Sequence, residues 1–473
     1  MQLRRIVMVE PANPTHNVYS FVHLPRLGLP ILGTLAERMG FEVRILIEQA
    51  LALDWSLLTG ADLVCISTIT PTAPAAYRLA DAVRAAGVPV LLGGPHVSFA
   101  AEEALAHADW VLRGEAERSL PRLLEVLRDD GDPAAVPGLS WRAGEVLRHN
   151  PLDEAPVDME RDVPIPDFSL VAGGRRAAFP RGVLPLQTSR GCPHHCAFCS
   201  VTPMFGRHMR FASADKVAAT LDGLRGQGDQ VFFYDDNFCA PPARAKALLE
   251  ELLRRGTFMP QPLAQVSVRA ARDPELLALM QRAGFYSVFV GFESINADAL
   301  ALYKKRQAVD DIRLAIERFH AHGIRVHGMF VSGSDAEGVD TIRATARFAR
   351  AQGIDSMQFL ILTPLPGTPL FEQLEREGRL LTRDWSLYDT HHAVFRPARM
   401  SARTLMAETF RAMRRFYGYG RSAGYALRGE LRTAAIGVYA RGQVRRWFRE
   451  NRRLLAEPRW QLGGPEPQAA ARS

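Results

Sequence analysis

The sequence has little cysteine and no long hydrophobic run. Five cysteines stand among 473 residues, and three of them fall within eight positions. An odd, clustered set does not make a disulfide framework; in a reducing compartment it points to metal ligation. No run of 18 or more apolar residues occurs, so no transmembrane helix is expected. The opening MQLRRIVMVE enters a strand-like pattern at once and lacks the apolar stretch and cleavage site of a secretory signal. A cytoplasmic protein is expected. Lysine and acidic residues are scarce at the other end. Ser401 to Ser473 holds fifteen Arg, five Glu and neither Lys nor Asp, a balance of +10 in a chain whose net charge is +7. Anionic lipid, nucleic acid or an acidic partner could answer such charge, and so could water on a solvated helical face. Aromatics in this region are not interleaved as base-stacking platforms, so nucleic acid is not expected.

The remaining composition, 47% hydrophobic and 23% charged, is that of a globular chain with material for more than one core. Residues 1–150 alternate strand and helix signals. The strand-like runs are Arg5–Val9, Glu42–Ile47, Leu63–Ile69, Val88–Leu92 and Trp110–Leu112. Nearly all-apolar strands joined by helices predict a parallel sheet covered on both faces, a doubly wound α/β domain. Polar residues and glycines gather where these strands should end: Ser67 and Thr68, Gly93, Gly94, Pro95 and His96, then Gly114 and Glu115. Ligands of open α/β sheets sit outside the carboxyl ends of strands. These residues are the candidates for a flat ligand, with His96 expected to line the pocket; ordinary turn chemistry is the competing account.

A proline-rich linker is expected over 151–185. The βα rhythm then resumes over 186–384, with strands at Leu184–Thr188, Gln230–Tyr234, Leu263–Val268, Ser287–Phe292, Arg325–Val331 and Ser356–Leu362. Six units predict an open, partial βα barrel with functional loops at the carboxyl ends of its strands. Residues 385–462 read as a helical extension, and 463–473 as a disordered tail.

The strongest local signal is TSRGCPHHCAFCS, which follows the first barrel strand and carries Cys192, Cys196 and Cys199. Three thiolates spaced C-x3-C-x2-C can hold three corners of a four-iron cubane and leave one iron open to an outside ligand. A zinc site recruiting His194 or His195 and a C-x2-C redox dithiol remain alternatives. Cys65 and Cys239 read as packing residues.

This CxxxCxFC loop resembles that of the radical S-adenosylmethionine (SAM) superfamily. GCPHHCAFCSVTPMFGRHMRF, FFYDDNF, DPELLALMQRAGFYSVFVGFES, HGMFVSGSD and LTPLPGTPL, together with Gly378-Arg379-Leu380 and Trp385, resemble its cobalamin-dependent subfamily over nearly the whole chain. The resemblance implies an N-terminal cobalamin-binding domain, a partial (βα)6 barrel and a [4Fe-4S] cluster on the three cysteines. It also implies SAM on the open iron, cleaved to a 5′-deoxyadenosyl radical, and an external donor of flavodoxin or ferredoxin type. Phe198 matches the position near adenine. Asp235, Asp236 and Asn237 take the place of the loop near the methionine amino group, with capping of the following helix as their competing reading. Arg269 and Glu293 are candidates for holding ribose and methionine, or for pairing with each other. The hexapeptide D-x-H-x-x-G, which places a His below cobalt in many cobalamin domains, is absent, as it usually is in this subfamily. The implied reaction is methylation of an unactivated carbon, with a non-methylating radical cyclisation or rearrangement, or a non-catalytic cobalamin- or zinc-binding regulator, as alternatives. The substrate is an organic molecule of open class, a lipid among the possibilities. The Arg-rich end, with Phe410, Met413, Phe416, Trp447 and Phe448, could rest peripherally on an anionic membrane, or those apolar residues could pack a core.

Overall fold

Short, apolar strands open the chain: β1 Arg5–Glu10, β2 Glu42–Ile47, β3 Leu63–Ser67, β4 Val90–Gly93 and β5 Trp110–Leu112. In the computed structural model, which describes residues 3–18 and 26–463, they pair in parallel in the order β2-β1-β3-β4-β5. Amphipathic helices such as Gly28–Arg38 and Ala73–Ala85 bury one face against them. This is a doubly wound sheet, and its crevice opens beyond the carboxyl ends of β1 and β3, where the winding reverses. Two further strands, β6 Leu139–Ala143 and β7 Val146–His149, extend the sheet as an antiparallel hairpin. The sequence reading missed them. They sit at the sheet edge with largely exposed side chains, so they lack the apolar alternation that marks a half-buried strand. The proline-rich stretch 151–185 is laid against this domain: Val171 bridges Ile45, and the Asp167 N–H donates to Thr34 Oγ1 at 2.8 Å.

The second sheet starts with β8 Val183–Leu186. A two-residue ribbon of β9 Ser189–Arg190 and β10 Arg210–Phe211 brackets the cysteine loop. Then come β11 Gln230–Phe233, β12 Leu263–Val266, β13 Ser287–Glu293, β14 Arg325–Ser332 and β15 Ser356–Ile361. The six long strands pair in parallel in the order β15-β14-β13-β12-β11-β8, an open partial barrel. Five of the intervening helices are each followed, two or three residues on, by Gly226, Gly256, Gly284, Gly323 or Gly353, with φ between 62° and 77°. That left-handed conformation turns the chain back into the next strand at no cost to glycine.

An unpaired strand edge needs cover. At β15 the C-terminal region supplies it. Tyr417 Oη donates to the Met357 carbonyl and accepts from the Met357 N–H, both at 2.8 Å, and the Ile361 N–H donates to the Thr390 carbonyl. Helices Ala402–Phe416, Tyr419–Leu427 and Leu431–Glu450 follow. Phe410, Met413, Phe416 and Trp447 are buried among them, with Phe410 stacked on Trp447 at 3.9 Å, and Phe448 is half-buried. These side chains are core and give a membrane nothing to hold. Among the described residues no helix is long and apolar enough to cross a bilayer. Gly463 pairs with Ser401; 464–473 lie outside the described residues.

The two sheets are bolted by buried charge. Arg190 Nη1 donates to Glu115 Oε1 and Glu117 Oε1, both at 2.7 Å, and Arg210 Nη1 reaches Glu115 Oε2 at 2.7 Å. The arginines flank the cysteine loop and the glutamates follow β5. Removing one side of such a pair strands the other's charge away from water. Glu115→Ala/Glu117→Ala is expected to cost the cofactor-free protein about 3–5 kcal/mol in urea denaturation; a loss below about 1 kcal/mol would mean the interface is solvated.

Candidate functional site

The cysteine loop is held at its root by a neighbouring strand. Asp235, at the end of β11, accepts from the Thr188 N–H at 2.6 Å, the Thr188 hydroxyl at 2.5 Å and the Ser189 N–H at 2.9 Å. Arg244 closes this knot, donating to Thr188 Oγ1 and Thr188 O at 2.8 and 2.7 Å. Gly191 follows with φ +93°, where a Cβ would lie 2.6 Å from the His208 carbonyl. Farther on, the Ala197 N–H reaches the Tyr303 carbonyl, and the Leu370 N–H donates to the Ala197 carbonyl. Phe198 packs edge-on to Tyr303, ring centroids 5.1 Å apart. The loop is thereby clamped by three segments of the barrel mouth.

Cys192, Cys196 and Cys199 are half-buried on it. Burial pushes all three thiols up, Cys199 to about 12, so binding iron must displace their protons. Among the described residues no three His, Cys, Asp or Glu side chains converge on the position of a single metal ion. The spacing Cys-x3-Cys-x2-Cys on one loop suits a cluster that offers each sulfur its own iron. Cys239, buried 4.0 Å from the Met280 sulfur, is packing; Cys65 is buried too, its thiol pushed up to about 12, but it borders the cleft described next.

That cleft, about 410 Å³ in volume, lies between the carboxyl ends of the two sheets. Ser67, Gly93, Gly94, Pro95, Gly114 and Glu115 line it from the first domain; Gln187, Arg190, Tyr234 and Asp236 line it from the barrel. Its depth is apolar, with Met8, Ile66, Leu91 and Leu112 among the walls. Gly94 allows a close approach: with φ +99°, a Cβ there would meet the Thr68 carbonyl at 2.4 Å. Two sequence candidates fall elsewhere. Thr68 is buried, its hydroxyl donating to the Gly93 carbonyl. His96, expected in the pocket, is instead packed between Tyr77 and Trp385, its ring 5.1 Å from the indole and its pKa lowered by burial to about 4. It is the second residue of the short helix Pro95–Phe99, capped by Gly94, and its ring is buried on the side of Tyr77 and Trp385. An apolar cleft edged by glycines fits a large flat cofactor.

The remaining candidates surround the mouth. Asp236 lines the cleft, and its charge acts on Cys192 and Cys199. Burial pushes its pKa up to about 7, with neighbouring Asp235 adding to the rise and Arg190 opposing it. Asn237 Oδ1 accepts from the Ser267 N–H at 3.3 Å and does not cap the following helix, whose cap is Pro241. Arg269 is exposed on the turn after β12. Glu293 does not pair with it. Glu293 sits at a bulge in β13 with φ +59° and binds Lys305 Nζ at 2.6 Å. Gly291 makes the room, since a Cβ there would lie 2.6 Å from Glu293 Oε1. Burial opposes the charge on Lys305, yet Glu293 and the cysteine sulfurs hold its pKa above the ordinary value. Lys305, Tyr303 and Arg244 were missed from sequence; none belongs to a motif that marks it, and only the fold delivers it to the loop.

A thiol-bearing barrel mouth facing a cofactor-sized cleft is the arrangement of an enzyme that holds a metal cluster against organic cofactors. The comparisons with known proteins agree. The model of the Radical SAM superfamily matches residues 186–349, and that of the B12 binding domain matches 19–124. An uncharacterized methyltransferase of Pyrococcus horikoshii is 30% identical over 413 residues, spanning 82% of this chain and 87% of its own. The bacteriochlorophyllide d C-12(1)-methyltransferase of Chlorobaculum tepidum is 28% identical, over 88% and 87%. The solved structure of TsrM from Kitasatospora setae, a radical SAM methyltransferase with cobalamin and a [4Fe-4S] cluster bound, superposes with a TM-score of 0.67 at 20% identity, covering 79% of this chain and 75% of that one. The chain belongs to the radical SAM superfamily and carries its B12-binding domain. Its cofactors are a [4Fe-4S] cluster, SAM and cobalamin, and as a radical SAM enzyme it needs an organic substrate and an external source of electrons.

Cys192→Ala, Cys196→Ala and Cys199→Ala should each abolish uptake of the about four irons of a reconstituted cluster, read by iron and sulfide analysis under nitrogen. Cys239→Ala should leave the iron content unchanged. A second outcome concerns Asp236. A folded pKa near 7 means that the native state keeps a proton which the unfolded chain releases near pH 4. Its contribution to stability is therefore full at low pH and falls by about 1.4 kcal/mol per pH unit as pH rises between those values. In urea denaturation of the cofactor-free protein, Asp236→Asn should flatten that slope and be relatively more stable at pH 8 than at pH 5.

Proposed function

We propose that this enzyme methylates an unactivated carbon of an apolar organic substrate. One observation carries the reading: the cleft of the B12-binding domain and the cysteine loop share a wall, with Asp236 on the cleft side and within the field of the thiols. When bound, the cofactors would supply a hydrogen-abstracting radical and a transferable methyl group; what the chain adds is positioning and exclusion of water. Cys192, Cys196 and Cys199 would hold the cluster, with Phe198 beside the adenine. Glu293 and Lys305, locked to each other beside the loop, are proposed to hold the polar end of SAM, with Asp236, Asn237 and Arg269 completing that rim. Asp235 is assigned a positioning role, since its carboxylate is spent on Thr188 and Ser189. Ser67, Gly93, Gly94, Pro95, Gly114 and Glu115 would receive cobalamin. The apolar walls would keep the reacting carbon dry.

The electron source is proposed to be a flavodoxin or ferredoxin. Exposed Arg207, Lys304 and Arg306 border the cysteine loop and suit an acidic protein. A lipid is the first substrate class to test, in keeping with the apolar, arginine-flanked face of the C-terminal helices. Anaerobic turnover with methyl-labelled SAM should yield 5′-deoxyadenosine and S-adenosylhomocysteine in equal amounts, with label in the product. Deoxyadenosine without S-adenosylhomocysteine would overturn methyl transfer in favour of a cyclisation or rearrangement.

A further inference from the structure

The C-terminal helical hairpin, Tyr419–Leu427 and Leu431–Glu450, presents an outer face that no other element covers among the described residues. Leu427 is 89% exposed and Leu431 68%, on either side of the turn that forms the apex; Tyr419 and Val438 are 51% and 52% exposed. Water gains nothing from such side chains, and a folded chain seldom collects them on one projection. Along the second helix the outward positions recur at intervals of four and three: Leu431, Ala435, Val438, Gly442, Arg445 and Arg449. This single stripe is apolar near the apex and cationic away from it. On the first helix the outward residues beyond Tyr419 are Gly420, Ala423, Ala426 and Leu427, again without charge.

The charge around this face has one sign. Residues 419–450 contain seven Arg and two Glu, with no Lys or Asp. Both glutamates are already answered: Glu430 by Arg325 at 3.0 Å and Arg428 at 3.2 Å, Glu450 by Arg446 at 2.7 Å. No acidic side chain of the hairpin is left to repel an anionic surface. Arg441 lies over the Tyr419 ring at 4.3 Å, so cation and aromatic meet at the rim of the apolar patch, where a bilayer passes from acyl chain to headgroup. The face therefore combines an apolar apex, a cationic flank and an interfacial aromatic, the features that hold a helix in the plane of an anionic bilayer.

We propose that this hairpin docks the enzyme on an anionic lipid membrane, Leu427 and Leu431 entering the interface while Arg445 and Arg449 meet the phosphates. The residues differ from those that the composition of the region suggested, because Phe410, Met413, Phe416 and Trp447 are turned inward. The site is remote from the cofactor cleft, whose lining includes no hairpin residue, and the proposal stands whether or not the reaction is methylation.

The test is flotation of the full-length, cluster-loaded protein with vesicles under nitrogen. Wild type should float with vesicles of mixed phosphatidylcholine and phosphatidylglycerol, far less with phosphatidylcholine alone, and less at high salt. Leu427→Ser/Leu431→Ser should lower partitioning by about tenfold or more with iron content unchanged; Arg445→Gln/Arg449→Gln should remove most of the salt dependence. Leu427→Trp keeps the face apolar and guards against misfolding of the serine variant: the fluorescence of the introduced indole should shift to the blue and be quenched by brominated lipid. Failure to float with anionic vesicles, flotation indifferent to the leucine change, or an indole signal that brominated lipid leaves unquenched would each overturn the proposal. So would a stable dimer that the leucine change dissolves, since the face would then belong to a second copy of the chain.

Discussion

Two arginines and two glutamates decide where chemistry can occur in this molecule. Arg190 and Arg210 flank the cysteine loop, Glu115 and Glu117 follow the last parallel strand of the B12-binding domain, and their contacts of 2.7 Å cross the boundary between the sheets. Buried charges of this kind add little net stability, because each had to leave water. What they do add is register. A hydrophobic interface would tolerate sliding, whereas an ion pair left unmatched in a dry interior is costly. The distance from thiols to cleft is thus set by the contact between the domains that can least afford to shift.

Around that bolt, polar residues divide into those that build and those left to bind. Asp235 is taken up by the scaffold, accepting from two backbone N–H groups and a hydroxyl. Its neighbour Asp236 faces the cleft with none of those partners, and burial pushes its pKa up to about 7. Both stand in the loop that follows β11, where one carboxylate serves the scaffold and the other the cavity. The same division separates Gly291, which makes room, from Glu293, held at positive φ against Lys305. Strain of this kind persists only where the surroundings enforce it, and it gathers at functional mouths.

The helical extension serves a different need. It satisfies the free edge of β15 through Tyr417 and Thr390, and it ties the two ends of the chain together around a buried carboxylate. Asp389 accepts from the Thr15 hydroxyl at 3.0 Å and binds His392 Nδ1 at 3.0 Å, while His392 Nε2 meets Asn451 Oδ1 at 2.9 Å. Burial opposes a charge on His392, yet the Asp389 carboxylate beside it and the Asn451 contact hold its pKa above the ordinary value. With Phe410, Phe416 and Trp447 turned inward for these tasks, the hairpin leaves Leu427, Leu431, Val438, Tyr419 and its arginines outside, and from that the proposed membrane face arises.

Much of this was legible in the chain itself. Apolar runs of strand length, helices closed by glycine and three cysteines within eight residues are local patterns, readable because side-chain period and ligand spacing are properties of consecutive residues. They specify two α/β domains and a cluster loop. Whatever depends on residues far apart in sequence was not legible. The partner of Glu293 is Lys305 rather than Arg269, His96 faces Trp385 rather than the cleft, the edge hairpin β6–β7 lacks a periodic signal, and the outward face of the C-terminal helices is not the aromatic one. In each case the identity of a neighbour, or the side of an element that meets water, is fixed by packing between segments. Only the assembled tertiary structure can settle that.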